Sequence, residues 1–307
     1  MNAPALIGVD WGSSSFRAYL MAGDGAVLDR IAAAEGVASI SPREFPSAFR
    51  RLLGAWLAQH PALPVLASGM VGSRNGWREA PYVKCPADPR AIAHNLVAVE
   101  TDGRRVLIVP GLSYEDENGR PDVMRGEEVE ILGIADAGAR LVVLPGSHCK
   151  WAVVEDGRVA RFKTFVTGEL FAAIREHTLI GAFARAAAPE PLGPPFALGV
   201  RRGASAARGE DGDGLIGALF SARSLPLTGK LAEADAGEYL SGLVIGAEIA
   251  EARRLFPDER AHIAGANALV ERYRTAFAAL GEVASAAPPR AAARGLFVIA
   301  RQAGLLS

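Results

Sequence analysis

Two short stretches of small and polar residues, each following an apolar run that reads as a strand, carry the first chemical signal in this chain. Gly12-Ser13-Ser14 follows Leu6-Ile7-Gly8-Val9-Asp10, and Gly146-Ser147-His148 follows Leu141-Val142-Val143-Leu144. A Gly/Ser loop between two strands turns several backbone N–H groups into one concavity, which suits a phosphate. Asp10 closes the strand before the first loop, where its carboxylate can hold Mg2+ directly or through water; the alternative is an Asp that only caps the turn. A third candidate is Gly126-Glu127-Glu128, at the start of a helix spanning Met124 to Ala137. The helix dipole favours negative charge there. Glu127, directly after a glycine, can project from the helix start and accept a proton from a hydroxyl. Glu128 and Glu130 read as solvated, dipole-compensating glutamates.

These groups need elements to position them, and the spacing supplies two similar sets. The first thirty residues read as an antiparallel meander: Leu6 to Asp10, Phe16 to Leu20 and Ala26 to Ile31, with turns at Trp11 to Ser15 and Ala22 to Gly25. Leu141 to Leu144, Lys150 to Val154 and Arg158 to Phe162 repeat that plan, and Gly146-Ser147 lies 134 residues after Gly12-Ser13. The chain therefore reads as two related halves, with boundaries at 1–138 and 139–307. Between and after the hairpins come a helix from Arg43 to Gln59 started by Ser41-Pro42 and strands at Pro64 to Ser68 and Arg105 to Val109. Further helices are expected near 169–177, 214–222, 238–255 and 268–280, and a strand at His262 to Ala264. The Ala-, Pro- and Gly-rich stretch from Ala184 to Gly212 reads as a loop or flexible insertion. Strands alternating with helices argue an α/β fold with mostly parallel sheets.

Composition narrows the classes. The 307 residues allow about two domains at roughly 150 residues each. Half the chain is hydrophobic, enough for a sizeable core, so a disordered tail is excluded. With 33 basic and 34 acidic residues, there is no basic stripe for nucleic acid. Cys85 and Cys149 are too few for a disulfide framework, and His148-Cys149 has no metal-site spacing. A signal peptide and an apolar run of the ~20 residues that span a bilayer are both missing, so the expected location is cytoplasmic. Neither a P-loop nor a strand–GxGxxG–helix fingerprint occurs.

Val9-Asp10-Trp11-Gly12-Ser13-Ser14 resembles the first phosphate loop of the actin-like ATPase and sugar kinase superfamily. The chain as a whole resembles the 2-dehydro-3-deoxygalactonokinase family. The match is carried by Asp10 to Leu20, Ser68 to Ser73 with Gly76-Trp77 and Ala80-Pro81-Tyr82, Met124 to Gly133, Leu144 to Trp151, Thr167 to Leu170 and Leu240 to Glu248. The resemblance implies an α/β, two-domain actin-like ATPase (ribonuclease H-like) fold with a cleft between duplicated halves. It also implies ATP-dependent phosphorylation of the 6-hydroxyl of 2-dehydro-3-deoxy-D-galactonate in galactonate catabolism, with ATP and Mg2+ as cofactors.

Carried over residue by residue, Asp10 organises Mg2+; Gly12, Ser13 and Ser14 form the first phosphate loop, and Gly146, Ser147 and His148 the second. Lys150 reaches phosphate or is a surface strand lysine. Glu127 is the catalytic base, with Glu128 its rival. Gly265-Ala266-Asn267 forms the adenosine loop, with one of the usual paired glycines replaced by alanine. Ser73, Arg74, Asn75 and Trp77 form the sugar-binding loop. Arg17 serves substrate or phosphate, or points outward; Thr167 faces substrate or caps its helix. The partners implied are a small sugar acid and ATP, with no nucleic acid and no membrane; a homodimer is left open. Rival readings are a same-fold kinase for another sugar acid such as 2-keto-3-deoxygluconate, a non-kinase actin-like ATPase or sugar sensor, and a nucleotide phosphohydrolase.

Overall fold

Apolar side chains from Leu6 to Val9 are wholly removed from water, as expected of a strand at the centre of a sheet covered on both faces. In the computed structural model, which describes residues 3–135, 138–186, 192–210, 212–257 and 259–306, this strand anchors the first of two units. One unit comprises residues 1–139, 152–162 and 288–307, the other 140–151 and 163–287. The C-terminal segment thus belongs with the N-terminal residues.

The first unit contains β1 (Pro4–Trp11), β2 (Phe16–Ala22), β3 (Val27–Ala33), α1 (Phe45–Gln59), β4 (Val65–Gly69), β5 (Tyr82–Lys84), α2 (Pro89–Ala93), β6 (Val97–Thr101), β7 (Arg104–Ile108), β8 (Gly111–Glu115), β9 (Pro121–Met124) and α3 (Glu127–Ala135). Its main sheet runs β3-β2-β1-β4-β7-β6, and β5, β8 and β9 form a small separate sheet. β1 pairs antiparallel with β2 and parallel with β4. α1 buries Phe45, Phe49, Leu53 and Trp56 in the core beside this sheet, and Trp11 meets Phe16 and Phe45 edge-on at 5.0 and 5.6 Å. It starts at Phe45, two residues later than expected, because Ser41-Pro42 forms a turn closed by the Ser41 carbonyl and the Glu44 N–H. The C-terminal helix Ala291–Gln302, which the sequence reading missed, packs against α3.

β10 (Leu141–Leu144), β11 (Cys149–Glu155), β12 (Arg158–Phe165), β13 (Ala261–Ile263) and β14 (Ser285–Ala286) make the second large sheet, in the order β12-β11-β10-β13-β14. β10 runs parallel to β13, and β13 to β14. Numbering each sheet from its own first strand along its succession β1, β2, β3, β4, β7 and β10 to β14, both read 3-2-1-4-5. The similarity of the two hairpins therefore extends to the sheets around them.

The helices of the second unit are α4 (Thr167–His177), α5 (Ala182–Ala186), α6 (Pro194–Arg208), α7 (Leu215–Leu219), α8 (Ser221–Leu227), α9 (Ala236–Leu255) and α10 (Asn267–Ala279). α6 overturns the reading of Ala184 to Gly212 as a loop; residues 187–191 and 211 of that stretch lie outside the described residues. Small residues here serve close packing. A methyl group on Gly199 would strike the Tyr239 carbonyl, one on Gly203 the Leu243 carbonyl, one on Gly242 the Phe196 carbonyl and one on Gly246 the Val200 carbonyl. Two helices that touch through their backbones need glycine at those points, and Pro194-Pro195 opens α6 where no intrahelical N–H partner is required. Among the described residues, no helix is long and apolar enough to cross a membrane.

Gly203→Ala should therefore lower stability by about 1–3 kcal/mol, because α6 and α9 must separate. Gly54→Ala, in α1 with open space around it, should raise stability by about 0.5–1 kcal/mol. Urea unfolding of the two variants checks both signs.

Candidate functional site

In the first unit the Gly12 N–H bonds the Ser15 carbonyl at 2.9 Å, closing a tight turn between β1 and β2. The carbonyls of Gly12 and Ser13 are occupied from behind by the N–H groups of Val37 and Ala38 at 2.9 and 3.0 Å, and Gly36 lies so near Ser13 that any side chain there would collide with its backbone. Ser13 and Ser14 are exposed. A loop with its carbonyls tied down and its serines open to solvent is disposed for an anion.

Asp10 lies opposite Arg17 in the β1–β2 ladder and opposite Ser68 in the β1–β4 ladder. Its carboxylate is 3.4 Å from the half-exposed Arg17 guanidinium. Burial raises the Asp10 pKa, Arg17 opposes that rise, and the nearby Glu127 charge adds to it. Arg17, expected either to serve substrate or phosphate or to point outward, thus pairs with the Asp10 carboxylate while staying half exposed.

The turn into α3 is built by its own glutamates. Glu127 accepts the Arg125 N–H at 3.0 Å, and Glu128 accepts the Gly126 N–H at 2.6 Å. Gly126 has φ +104°, and its α-carbon side faces Gly69, itself at φ +93° at the end of β4. A side chain on Gly69 would lie 2.6 Å from the Trp11 carbonyl, so the ends of β1 and β4 and the start of α3 meet through glycine. Met124 ends β9 and Arg125-Gly126 bend, so the helix begins at Glu127; of its expected end, residues 136 and 137 lie outside the described residues. The reading of Glu128 and Glu130 as solvated is corrected. Glu128 is wholly buried, with a pKa pushed up to about 8 by burial and by Glu127. Glu130 is partly buried and raised to about 7 by burial and by the charges of Asp10 and Glu127, with Arg17 opposing.

After β4 the chain turns through Ser73 to Trp77. Arg74 and Asn75 are exposed, whereas the Ser73 hydroxyl is buried with no partner. Trp77 stacks on Phe45 at 6.3 Å and packs on Phe49 at 5.3 Å, so most of its ring contact is with α1. Arg125, absent from the sequence reading, is buried behind this loop; it donates to the Ala80 carbonyl at 2.7 Å and lies 4.4 Å over the Tyr82 ring.

In the second unit, Gly146-Ser147-His148 is held from several sides. The Glu169 N–H bonds the Ser147 carbonyl at 3.1 Å, and Gly168 presses on the backbone of Gly146 and Ser147. His148 meets Glu169 at 2.6 Å. Lys150 is not a surface residue: it is buried, and its ammonium donates to the His148 carbonyl at 2.9 Å. Gly265, at φ +134°, abuts the Pro145 carbonyl, and Ala266 and Asn267 lead into α10. Thr167 is not an N-cap, since Val166 holds that position. It lines a cavity of about 260 Å³ with Pro145, Gly146, Glu238, Arg272 and Tyr273. Arg272 closes one side of that cavity by pairing with Glu238 at 2.6 and 2.9 Å.

Glu130, Glu248 and Tyr273 escaped the sequence reading as site residues. Glu130 was recoverable, because helical positions three apart share a face and Glu127 was already singled out. Glu248 is an acidic residue inside the largely apolar run from Leu240 to Ala250, which is the mark of a buried, hydrogen-bonded carboxylate.

A family model described as 2-keto-3-deoxy-galactonokinase matches residues 10–299. "Probable 2-dehydro-3-deoxygalactonokinase DgoK1" of Rhizobium meliloti (strain 1021) is 42% identical over 251 residues, 80% of this chain and 79% of that protein. The 2-dehydro-3-deoxygalactonokinase of Escherichia coli (strain K12) is 34% identical over 277 residues, 90% of each. A crystal structure from Sinorhizobium meliloti, described as "a putative 2-dehydro-3-deoxygalactonokinase protein", superimposes with a TM-score of 0.85 at 37% identity, covering 96% of this chain and 98% of that one. A likeness of fold alone, with a TM-score of 0.50 at 13% identity and covering 96% and 98% of the two chains, reaches a structure described as a "Putative N-acetylglucosamine Kinase" from Porphyromonas gingivalis.

Glu128 and Glu130 retain protons in the folded state above the ordinary carboxylate value of 4.5, where the unfolded chain has lost them. The folded form therefore binds more protons between about pH 5 and 8, and stability falls as pH rises through that window. Glu128→Gln, which imitates the protonated form, should flatten this decline by on the order of a few kcal/mol at pH 8.5 relative to pH 5.5. Urea midpoints at the two pH values measure it; an equally steep decline in the variant would remove Glu128 as its source.

Proposed function

The chain belongs to the 2-keto-3-deoxy-galactonokinase family, and we propose that it transfers the γ-phosphoryl group of ATP to the 6-hydroxyl of 2-dehydro-3-deoxy-D-galactonate, a step of galactonate catabolism. The actin-like ATPase and sugar kinase fold agrees with this. The observation that carries the reading is the set Asp10, Gly12 to Ser14 and Glu127. It joins an acidic strand end to an anion-disposed loop, with a second carboxylate close enough to shift the Asp10 pKa.

In this reading Glu127 accepts the hydroxyl proton as the new O–P bond forms and the bond to ADP breaks. Its hydrogen bond from the Arg125 N–H fixes the orientation of the carboxylate. Ser13 and Ser14, and in the second unit Ser147 and His148, bind phosphate through backbone N–H and side-chain donors, while Gly12 and Gly146 shape the turns, their own N–H groups being bonded to the Ser15 carbonyl and the Cys149 sulfur. The 260 Å³ cavity, bounded by Pro145, Gly146 and residues of α10, takes the adenosine; Gly265-Ala266-Asn267 leads into α10 but is not among the residues that line the cavity. Ser73, Arg74 and Asn75 meet the sugar acid; Trp77 buttresses their loop against α1. Arg17 holds Asp10, and Lys150 holds the His148 carbonyl and adds positive charge beneath the second loop.

The residues present fit a divalent cation that arrives with the nucleotide. Asp10 is a hard oxygen donor whose pKa is raised by burial and, to a lesser degree, by the Glu127 charge, with Arg17 opposing. Among the described residues no cluster of three or more His, Cys, Asp or Glu could hold a metal by itself. That suits Mg2+, which keeps several waters and phosphate oxygens in its shell. When bound, Mg2+ would draw charge from the transferring phosphoryl group.

ADP release with MgATP should be strong with 2-dehydro-3-deoxy-D-galactonate and weak with its gluconate epimer or no sugar. Release independent of sugar would overturn the kinase reading. Asp10→Asn and Glu127→Gln should each lower kcat on the order of 10²–10⁴-fold, with nucleotide affinity changed only modestly. Full turnover in folded Asp10→Asn would remove that residue from the mechanism.

A further inference from the structure

The second unit contains a buried acid that the proposed chemistry does not use. Glu248 on α9 is only 3% exposed. One oxygen accepts the Trp151 indole N–H at 2.7 Å, and the other accepts the Tyr273 hydroxyl at 2.6 Å. The Thr167 hydroxyl also bonds to it; burial raises its pKa and these donors hold the rise back. These donors come from β11, α10 and the first residue of α4.

The chain of contacts continues to the second loop. The Cys149 thiol lies 3.0 Å from the Tyr273 hydroxyl and 3.3 Å from the Gly146 carbonyl, and its sulfur accepts the Gly146 N–H at 3.4 Å. The Tyr273 hydroxyl donates its hydrogen bond to Glu248, and the Cys149 thiol bonds to the same carboxylate as well as lying against Tyr273 Oη. Gly146, Thr167 and Tyr273 all line the 260 Å³ cavity, whereas Glu248 does not.

We propose that Glu248 is a positioning residue for nucleotide binding: through Thr167, Tyr273 and the Cys149 thiol it sets the cavity wall and the Gly146 turn, touching no ligand itself. This rests on the reading of that cavity and loop as the nucleotide site. The physical reason is directional. A carboxylate only accepts, so every donor around it points inward and each polar side chain keeps one orientation. Glutamine fills the same volume but brings two donor hydrogens. Because the Trp151 indole can only donate, the amide oxygen must face Trp151, and the NH2 then faces Tyr273. The Tyr273 proton has to turn away, and the polarity of the contacts running to Gly146 reverses.

The test compares wild type, Glu248→Gln, Tyr273→Phe and the double variant, using ADP titration by calorimetry and steady-state kinetics. Glu248→Gln should weaken ADP binding and raise the KM for MgATP about tenfold, the effect of one lost bond to a charged group. The KM for the sugar acid should stay within about twofold, which a general loss of structure would not spare. Tyr273→Phe should act in the same direction. The double variant should be no worse than Glu248→Gln alone, because both act through one chain of contacts.

Unchanged ADP affinity in folded Glu248→Gln, equal effects on both substrates, or multiplying effects in the double variant would each overturn the role. If Glu248→Gln fails to fold, Tyr273→Phe decides by the same split between substrates. Wild-type protein that binds no ADP would instead overturn the reading of the site.

Discussion

A carboxylate taken out of water must be met by donors, since an unpaired buried charge costs far more than a hydrogen bond returns. In this molecule that requirement fixes the loops. Part-buried Glu127 accepts the Arg125 N–H, and wholly buried Glu128, which burial keeps protonated to about pH 8, accepts the Gly126 N–H with one oxygen, which fastens the bend between β9 and α3. Glu248 finds Trp151, Tyr273 and Thr167, which joins β11, α10 and α4 around one point.

The two phosphate-type loops meet a second requirement in different ways. An anion site needs N–H groups left over after the backbone has satisfied itself. Around Gly12 and Ser13 the surplus arises because Val37 and Ala38 supply the carbonyls' partners from behind. Around Gly146 it depends on α4, whose Glu169 N–H takes the Ser147 carbonyl, and on Lys150, which takes the His148 carbonyl. Sheets of the same order thus carry loops of similar composition braced by unrelated segments. This is why Gly12-Ser13 and Gly146-Ser147 could be matched by eye while their supports could not.

Sequence made the loops, the meander, α1 and α9 legible because each depends on neighbours a few residues away. Turn chemistry and strand alternation are local. What escaped depends on contacts distant in the chain. α6 is rich in alanine and glycine and buries a face made mostly of small residues, so it reads as a loop until α9 is laid against its glycines. The C-terminal helix matters through α3, more than 150 residues earlier in the chain. The family resemblance supplied Asp10, Glu127 and the loops, yet could not separate Glu127 from Glu128 or place Lys150 and Thr167. Their side-chain directions are set by burial and by partners such as Glu248.

The acids of α3 divide their work by exposure. Glu128 is sealed in the core and holds its proton to about pH 8, so near neutral pH it is mostly the neutral acid and has no open face toward a hydroxyl. Glu130 shares the helix face of Glu127, and its pKa of about 7 comes first from burial and then from the charges of Asp10 and Glu127. One half-exposed guanidinium, Arg17, opposes that group of acids. Burial and mutual repulsion thus raise the pKa of Asp10 and of Glu130 together, with Arg17 opposing both, so the acids at the end of β1 and in the first turn of α3 share one electrostatic environment.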